Sequence, residues 1–125
     1  AAAAGGDVLY IEDNPVNALL MQTLFQMRPQ WRLRVAADGA GGLAEALRAP
    51  PRLLLVDMHL PDMNGIELLS RLRAHATLRE VPAIVVSAAA MSADIERAQA
   101  AGFAAYWTKP LDLQKMLGEL DRLLA

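Results

Sequence analysis

No cysteine occurs in the 125 residues. That removes disulfides, thiolate metal sites and cysteine nucleophiles together, and it fits a cytoplasmic chain. There is also no apolar run near 18 residues, so no segment is expected to cross a membrane. The opening Ala1-Ala2-Ala3-Ala4-Gly5-Gly6 lacks the positive start and long apolar stretch of a signal peptide. Residues 1–6 read as a linker or an added leader, and residues 7–125 as one domain. A net charge of -2 without a basic cluster argues against nucleic acid as a direct partner. No internal repeat or low-complexity segment follows Gly6. What remains is a chain with 54% hydrophobic residues, above the ordinary range. At this length it should bury about two-thirds of its unfolded surface.

The central stretch is Leu53-Leu54-Leu55-Val56-Asp57. Four branched apolar residues without alternation predict a strand buried on both faces. Pro61, Asp62, Asn64 and Gly65 then mark a loop. Other short apolar runs repeat this pattern. Val8–Ile11 runs into Glu12-Asp13, about Ala83 to Ser87 ends on a hydroxyl, and Ala105–Thr108 ends at Lys109-Pro110. A less buried second strand is expected around Arg32–Ala37. Between the strands lie helical patterns. Asn14 and Pro15 open the first helix, whose apolar side is read as Val16, Leu19, Leu20, Leu24 and Met27, with Pro29 ending it. An Ala-rich helix spans about Ala40 to Arg48, another carries Ile66, Leu68, Leu69 and Leu72, Gly102 closes a fourth, and Asp112 caps a fifth.

Strands alternating with helices predict an α/β domain with a parallel sheet and right-handed crossovers. The flavodoxin-like (βα)5 arrangement, strand order 2-1-3-4-5 with helices on both faces, fits this length. It makes the first and third strands neighbours at the switch point, which gathers Glu12, Asp13 and Asp57. At about 4 Å and an effective dielectric near 20, each charged carboxylate pair costs roughly 4 kcal/mol. Either one acid is protonated or a cation sits among them. A hard cation that takes one or two carboxylates and keeps waters and phosphate oxygens describes Mg²⁺. Lys109 and Ser87, at the ends of two further strands, can neutralise and hydrogen-bond an anion. The set suits a phosphoryl group carried on a carboxylate, with Asp57 as nucleophile.

Glu12-Asp13, Asp57, Ser87 and Lys109-Pro110 together resemble the receiver domain of two-component response regulators, over about Asp7 to Leu124. The resemblance implies that Asp57 is the phosphoacceptor, served by a histidine kinase or a histidine phosphotransfer protein. It implies that Asp13 and Asp57 bind Mg²⁺ (Mn²⁺ can take its place) directly, the main-chain carbonyl of His59 adds a ligand, and Glu12 acts through water. Ser87 and Lys109 would contact phosphoryl oxygens, and Pro110 would follow a cis peptide bond. Tyr106 falls on the family's aromatic switch position, expected to turn inward as Ser87 moves toward the phosphate. In relatives, kinase specificity lies largely on the first helix, which points to Asn17, Ala18 and Met21. The resemblance further implies a cytoplasmic signalling domain rather than a conventional enzyme, monomeric or weakly dimeric. The run Glu12 to Asn17 looks more like receivers fused to hybrid histidine kinases than those of DNA-binding regulators.

Several readings compete. A flavodoxin-like nucleotide or flavin binder would want a Gly-rich phosphate loop after the first strand, where Glu12-Asp13 would repel phosphate. A haloacid-dehalogenase-type phosphatase would want an Asp where His59 stands. A cobalamin-binding motif would want glycine at Asp62. A receiver-like module that binds partners without phosphorylation is the remaining alternative. His59 itself reads either as a side-chain metal ligand or as a loop residue whose main chain faces the site. Trp107 reads as packing.

Overall fold

A computed structural model describes residues 7–89 and 91–124; the leader assigned to residues 1–6 lies outside the described residues. The strands are β1 (Asp7–Ile11), β2 (Arg32–Ala36), β3 (Leu53–Asp57), β4 (Ala83–Ser87) and β5 (Ala105–Thr108). The helices are α1 (Pro15–Phe25), α2 (Gly39–Arg48), α3 (Gly65–Arg73), α4 (Ser92–Ala101) and α5 (Leu113–Leu124). All pairings are parallel and the order is β2-β1-β3-β4-β5, the flavodoxin-like arrangement expected. β3 and β4 are buried along their whole length because neighbours flank both edges and helices cover both faces.

Alternation along the strands divides the core in two. Leu9, Ile11, Leu54, Val56 and Val85 face α2, α3 and α4, where Ala46, Leu68, Leu69, Leu72 and Ala98 meet them. Val8, Tyr10, Leu55, Ile84 and Val86 face the other way, against Met21 and Leu24 of α1 and Met116 and Leu120 of α5.

Helix starts follow their local chemistry. The Asn14 side chain accepts from the Val16 N–H at 2.8 Å, and Pro15 occupies the first turn of α1, where its missing N–H costs nothing. Asp38 and Asn64 cap α2 and α3 in the same way. Gly102 ends α4 at φ 108°, in the left-handed region that glycine enters without steric cost.

One expectation is overturned. α1 stops at Phe25, short of Pro29, and its buried side is Met21, Leu24 and Phe25. Of the five residues read as its apolar side only Leu24 is buried. Val16, Leu19, Leu20 and Met27 are between 55% and 63% exposed. Both sets obey helical spacing, since 21, 24 and 25 also stand at i, i+3 and i+4. The sequence therefore carries two apolar stripes, and only packing on the sheet selects between them. Met21, assigned to a partner surface, is 1% exposed and belongs to the core.

Candidate functional site

Strand ends place the polar groups. β1 and β3 pair in register from Val8 with Leu53 to Ile11 with Val56, so Glu12 and Asp57 emerge side by side. The strand-pair spacing is about 5 Å, close enough for long carboxyl side chains to meet. Carboxylate oxygens of Glu12, Asp13 and Asp57 all lie within 4.8 Å of one another. Glu12 and Asp57 are buried, whereas Asp13 is exposed. Lys109, carried past β5, reaches into the same space. Its Nζ stands 2.9 Å from Glu12 Oε1 and 3.5 Å from Asp57 Oδ1.

The electrostatics follow from crowding. Burial pushes the Asp57 carboxyl up to about 7, the hydrogen bond and charge of Glu12 push the same way, and the Lys109 charge pulls against them. Burial acts on Glu12 in that direction too. There the hydrogen bonds from Asp57, Lys109 and the Asn14 N–H outweigh it and hold Glu12 down at about 2. Below about pH 7 the two acids thus hold one proton between them, and the crowding favours Asp57 as its carrier. Lys109 balances one negative charge, and with Asp13 the cluster retains surplus charge once that proton leaves. An all-oxygen donor set of this kind fits a hard divalent cation, and the shared proton marks where its charge would act.

Ser87 is fully buried, and its Oγ accepts from the Ala89 N–H at 3.1 Å. Tyr106 packs against the α3 and α4 side of the core, and its hydroxyl donates to the Ala89 carbonyl. Ser87 and Tyr106 therefore converge on one loop residue between β4 and α4. Within the expected switch loop from Ala88 to Met91, Ala90 lies outside the described residues. The Lys109–Pro110 peptide is cis, as the resemblance implied. The His59 N–H donates to Asp57 Oδ1 at 3.3 Å, while the residue as a whole is exposed at the rim.

Asn17 and Ala18 are half-buried on α1. Beside them a groove of about 230 Å³ runs between α1 and α5, lined by Leu20, Leu24, Pro110, Leu111, Leu113 and Met116. Lys109 also lines it, so this apolar groove opens beside the acidic site. Leu113 at its mouth is 46% exposed, which continues the exposed stripe of α1.

Three residues escaped sequence reasoning. Tyr10 read as one apolar residue of β1, yet its hydroxyl donates to Glu12 Oε1 at 3.0 Å. Asp62 read only as a loop residue. Its carboxylate accepts from the Gly39 and Ala40 N–H groups at 2.8 and 2.9 Å, tying the loop after β3 to the start of α2. Those two donors hold its carboxyl below the usual range. Gly65, also read as loop, opens α3. A Cβ there would stand 3.1 Å from the Asp57 main-chain oxygen and 3.2 Å from Met58 Cα, so any larger residue would have to push the backbone beneath Asp57 outward by a few tenths of an ångström. A phenol two residues before an acidic strand end was the one usable signal, because residues i and i+2 share a face. The Asp62 contact is long-range and leaves no local trace.

Comparison with known proteins gives one result. Residues 8–121 match the family model described as response regulator receiver domain. The polar-differentiation response regulator DivK of Brucella ovis is 33% identical over 117 residues, which cover 94% of each chain. Among solved structures, the receiver domain of the sensor histidine kinase PA1611 from Pseudomonas aeruginosa superposes with a TM-score of 0.86 at 30% identity. It covers 97% of this chain and 98% of its own, and it was solved with magnesium coordinated in the active site cleft. The chemotaxis response regulator CheY4 of Vibrio cholerae has the same fold, at a TM-score of 0.87 and 23% identity, with coverage of 95% and 98%.

Proposed function

Because the chain belongs to the response regulator receiver family of two-component systems, we propose that Asp57 accepts a phosphoryl group from a histidine kinase or histidine phosphotransfer protein in a Mg²⁺-dependent step. One observation carries this reading: a buried strand-end carboxyl sits between two further acids and a lysine 3.5 Å away. In the transfer, an Asp57 carboxylate oxygen forms the new bond to phosphorus as the bond from phosphorus to the donor nitrogen breaks. Positioning and charge do most of the work in such a step. Asp13, Asp57 and the main-chain carbonyl of His59 would hold the cation, with Glu12 acting through water; Mn²⁺ could replace Mg²⁺. When bound, that cation would offset the charge gathering on the phosphoryl oxygens. Lys109 leaves Glu12 to pair with one phosphoryl oxygen, and the Ser87 hydroxyl donates to another.

The product adds charge where the site already has a surplus. Moving Ser87 toward it pulls on the loop that also binds Tyr106, which biases the surface formed by α4 and β5. Taking such an equilibrium from 1:99 to 99:1 needs about 5.5 kcal/mol. One new hydrogen bond and an ion pair supply only part of that free energy, so partial population of the switched arrangement is expected before phosphorylation. The exposed apolar stripe of α1, Val16, Leu19 and Leu20, with the adjoining groove, is the surface we assign to the histidine-bearing partner. That assignment keeps Asn17 and Ala18 at the contact and puts the nearly buried Met21 in the wall of the groove. The compartment that supplies such kinases with ATP is the cytoplasm, where we place the domain.

The test is intact mass after incubation with Mg²⁺ and acetyl phosphate. A gain of one phosphoryl group is expected, absent in Asp57→Asn and absent with EDTA. Lys109→Ala should impair switching more than Mg²⁺ binding, as read from NMR shifts of the α4 and β5 amides. No mass gain, together with no response to beryllofluoride, would refute the proposal in favour of a phosphorylation-independent interaction module.

A further inference from the structure

We infer that Tyr10 is a positioning residue that keeps the Glu12 carboxylate in place when Lys109 lets it go. The inference rests on the phosphoacceptor reading and adds a residue to it. Tyr10 is fully exposed to the core and not to water, at 0% relative exposure. Strand alternation turns its ring toward the α1 and α5 side, among Val8, Leu55 and Val86. A tyrosine in such surroundings must find a partner for its hydroxyl, and this one finds Glu12 Oε1 at 3.0 Å.

The same oxygen receives Lys109 Nζ at 2.9 Å. Glu12 Oε2 has the Asn14 N–H at 3.3 Å, a longer and weaker contact. Glu12 is only 2% exposed, so bulk water cannot readily replace a lost donor. In phosphoryl transfer Lys109 has to change partners. A buried carboxylate abandoned by its lysine would keep only one long hydrogen bond and the water through which it reaches the cation, too few donors to fix two buried oxygens. It could swing toward Asp57 and the incoming group. The Tyr10 hydroxyl removes that outcome by remaining on Oε1. Its donor sits on a rigid ring held by the core, so the bond needs no rearrangement when the lysine departs. An apolar residue at this position would make the lysine swap costlier.

The test uses Tyr10→Phe, which keeps the ring and removes one oxygen. Amide NMR shifts give the affinity for Mg²⁺ alone and then for beryllofluoride in saturating Mg²⁺, with urea unfolding alongside. Because the loaded state alone loses the lysine, beryllofluoride affinity should fall about tenfold or more, the loss expected for a hydrogen bond to a charged group. Mg²⁺ affinity should change little, and the urea midpoint should fall only by what the lost bond costs in the unloaded state, leaving the protein folded without urea. Equal beryllofluoride affinity in Tyr10→Phe and wild type would overturn the inference. An equal fold loss of Mg²⁺ and beryllofluoride affinity would also overturn it, by showing a merely structural role. Failure of wild type itself to bind beryllofluoride would instead sink the phosphoacceptor reading on which the inference stands.

Discussion

The shared proton between Glu12 and Asp57 makes stability depend on pH in an unusual direction. Most carboxyls in folded proteins are held below their ordinary range and add stability as pH rises. Here Asp57 is raised to about 7. The folded pair keeps a proton that the unfolded chain releases near pH 4, so the folded state binds more protons between those limits. Stability must then fall as pH climbs through that window. Glu12 works oppositely, since its lowered value adds stability as pH rises from about 2, and that gain is complete before pH 5. At about 1.4 kcal/mol per pH unit, raising the pH from 5 to 8 in EDTA should cost wild type about 3 kcal/mol relative to Asp57→Asn. With a urea dependence near 1.5 kcal/mol/M, that is a midpoint difference of about 2 M. Urea unfolding followed by circular dichroism at several pH values, for both proteins, measures it directly. Saturating Mg²⁺ should abolish most of the fall, because the cation displaces the proton. A difference between the two proteins that stays flat from pH 5 to 8 in EDTA would refute the shared-proton account.

The packing of α1 makes a sharper contrast than its composition suggests. Leu24→Ala should cost about 2–5 kcal/mol in urea unfolding, whereas Leu19→Ala should stay within about 0.5 kcal/mol. The reverse ranking would mean that the other stripe faces the sheet. Gly65→Ala presses a methyl group onto the backbone that carries Asp57, with neighbours at 3.1 to 3.3 Å. It should lower stability by about 1–3 kcal/mol and weaken Mg²⁺ binding, with the Met58 and His59 amide shifts moving most.

Much of this protein could be read from the chain alone, for local reasons. A run such as Leu53–Val56 has no polar face and is bounded by loop residues, so it reads as an interior strand, and the polar residue that ends it falls at a sheet edge. Applied to β1, β3, β4 and β5, that logic places Glu12, Asp57, Ser87 and Lys109 at one edge. Alternation and crossover handedness leave few topologies, and the flavodoxin-like order 2-1-3-4-5 is the common one at this length. Tertiary structure decided what local pattern leaves symmetric or silent. α1 has two stripes of equal spacing, and contact with α5 and the sheet chose Met21, Leu24 and Phe25 over Val16, Leu19 and Leu20. Three acids were legible, but which one keeps the proton depends on burial and on Lys109, 97 residues away from Glu12. The Tyr10 hydroxyl and the Asp62 carboxylate gained their roles from groups that only folding brings within 3 Å. Sequence set which residues could meet at the edge, and packing set which hydrogen bonds they make there.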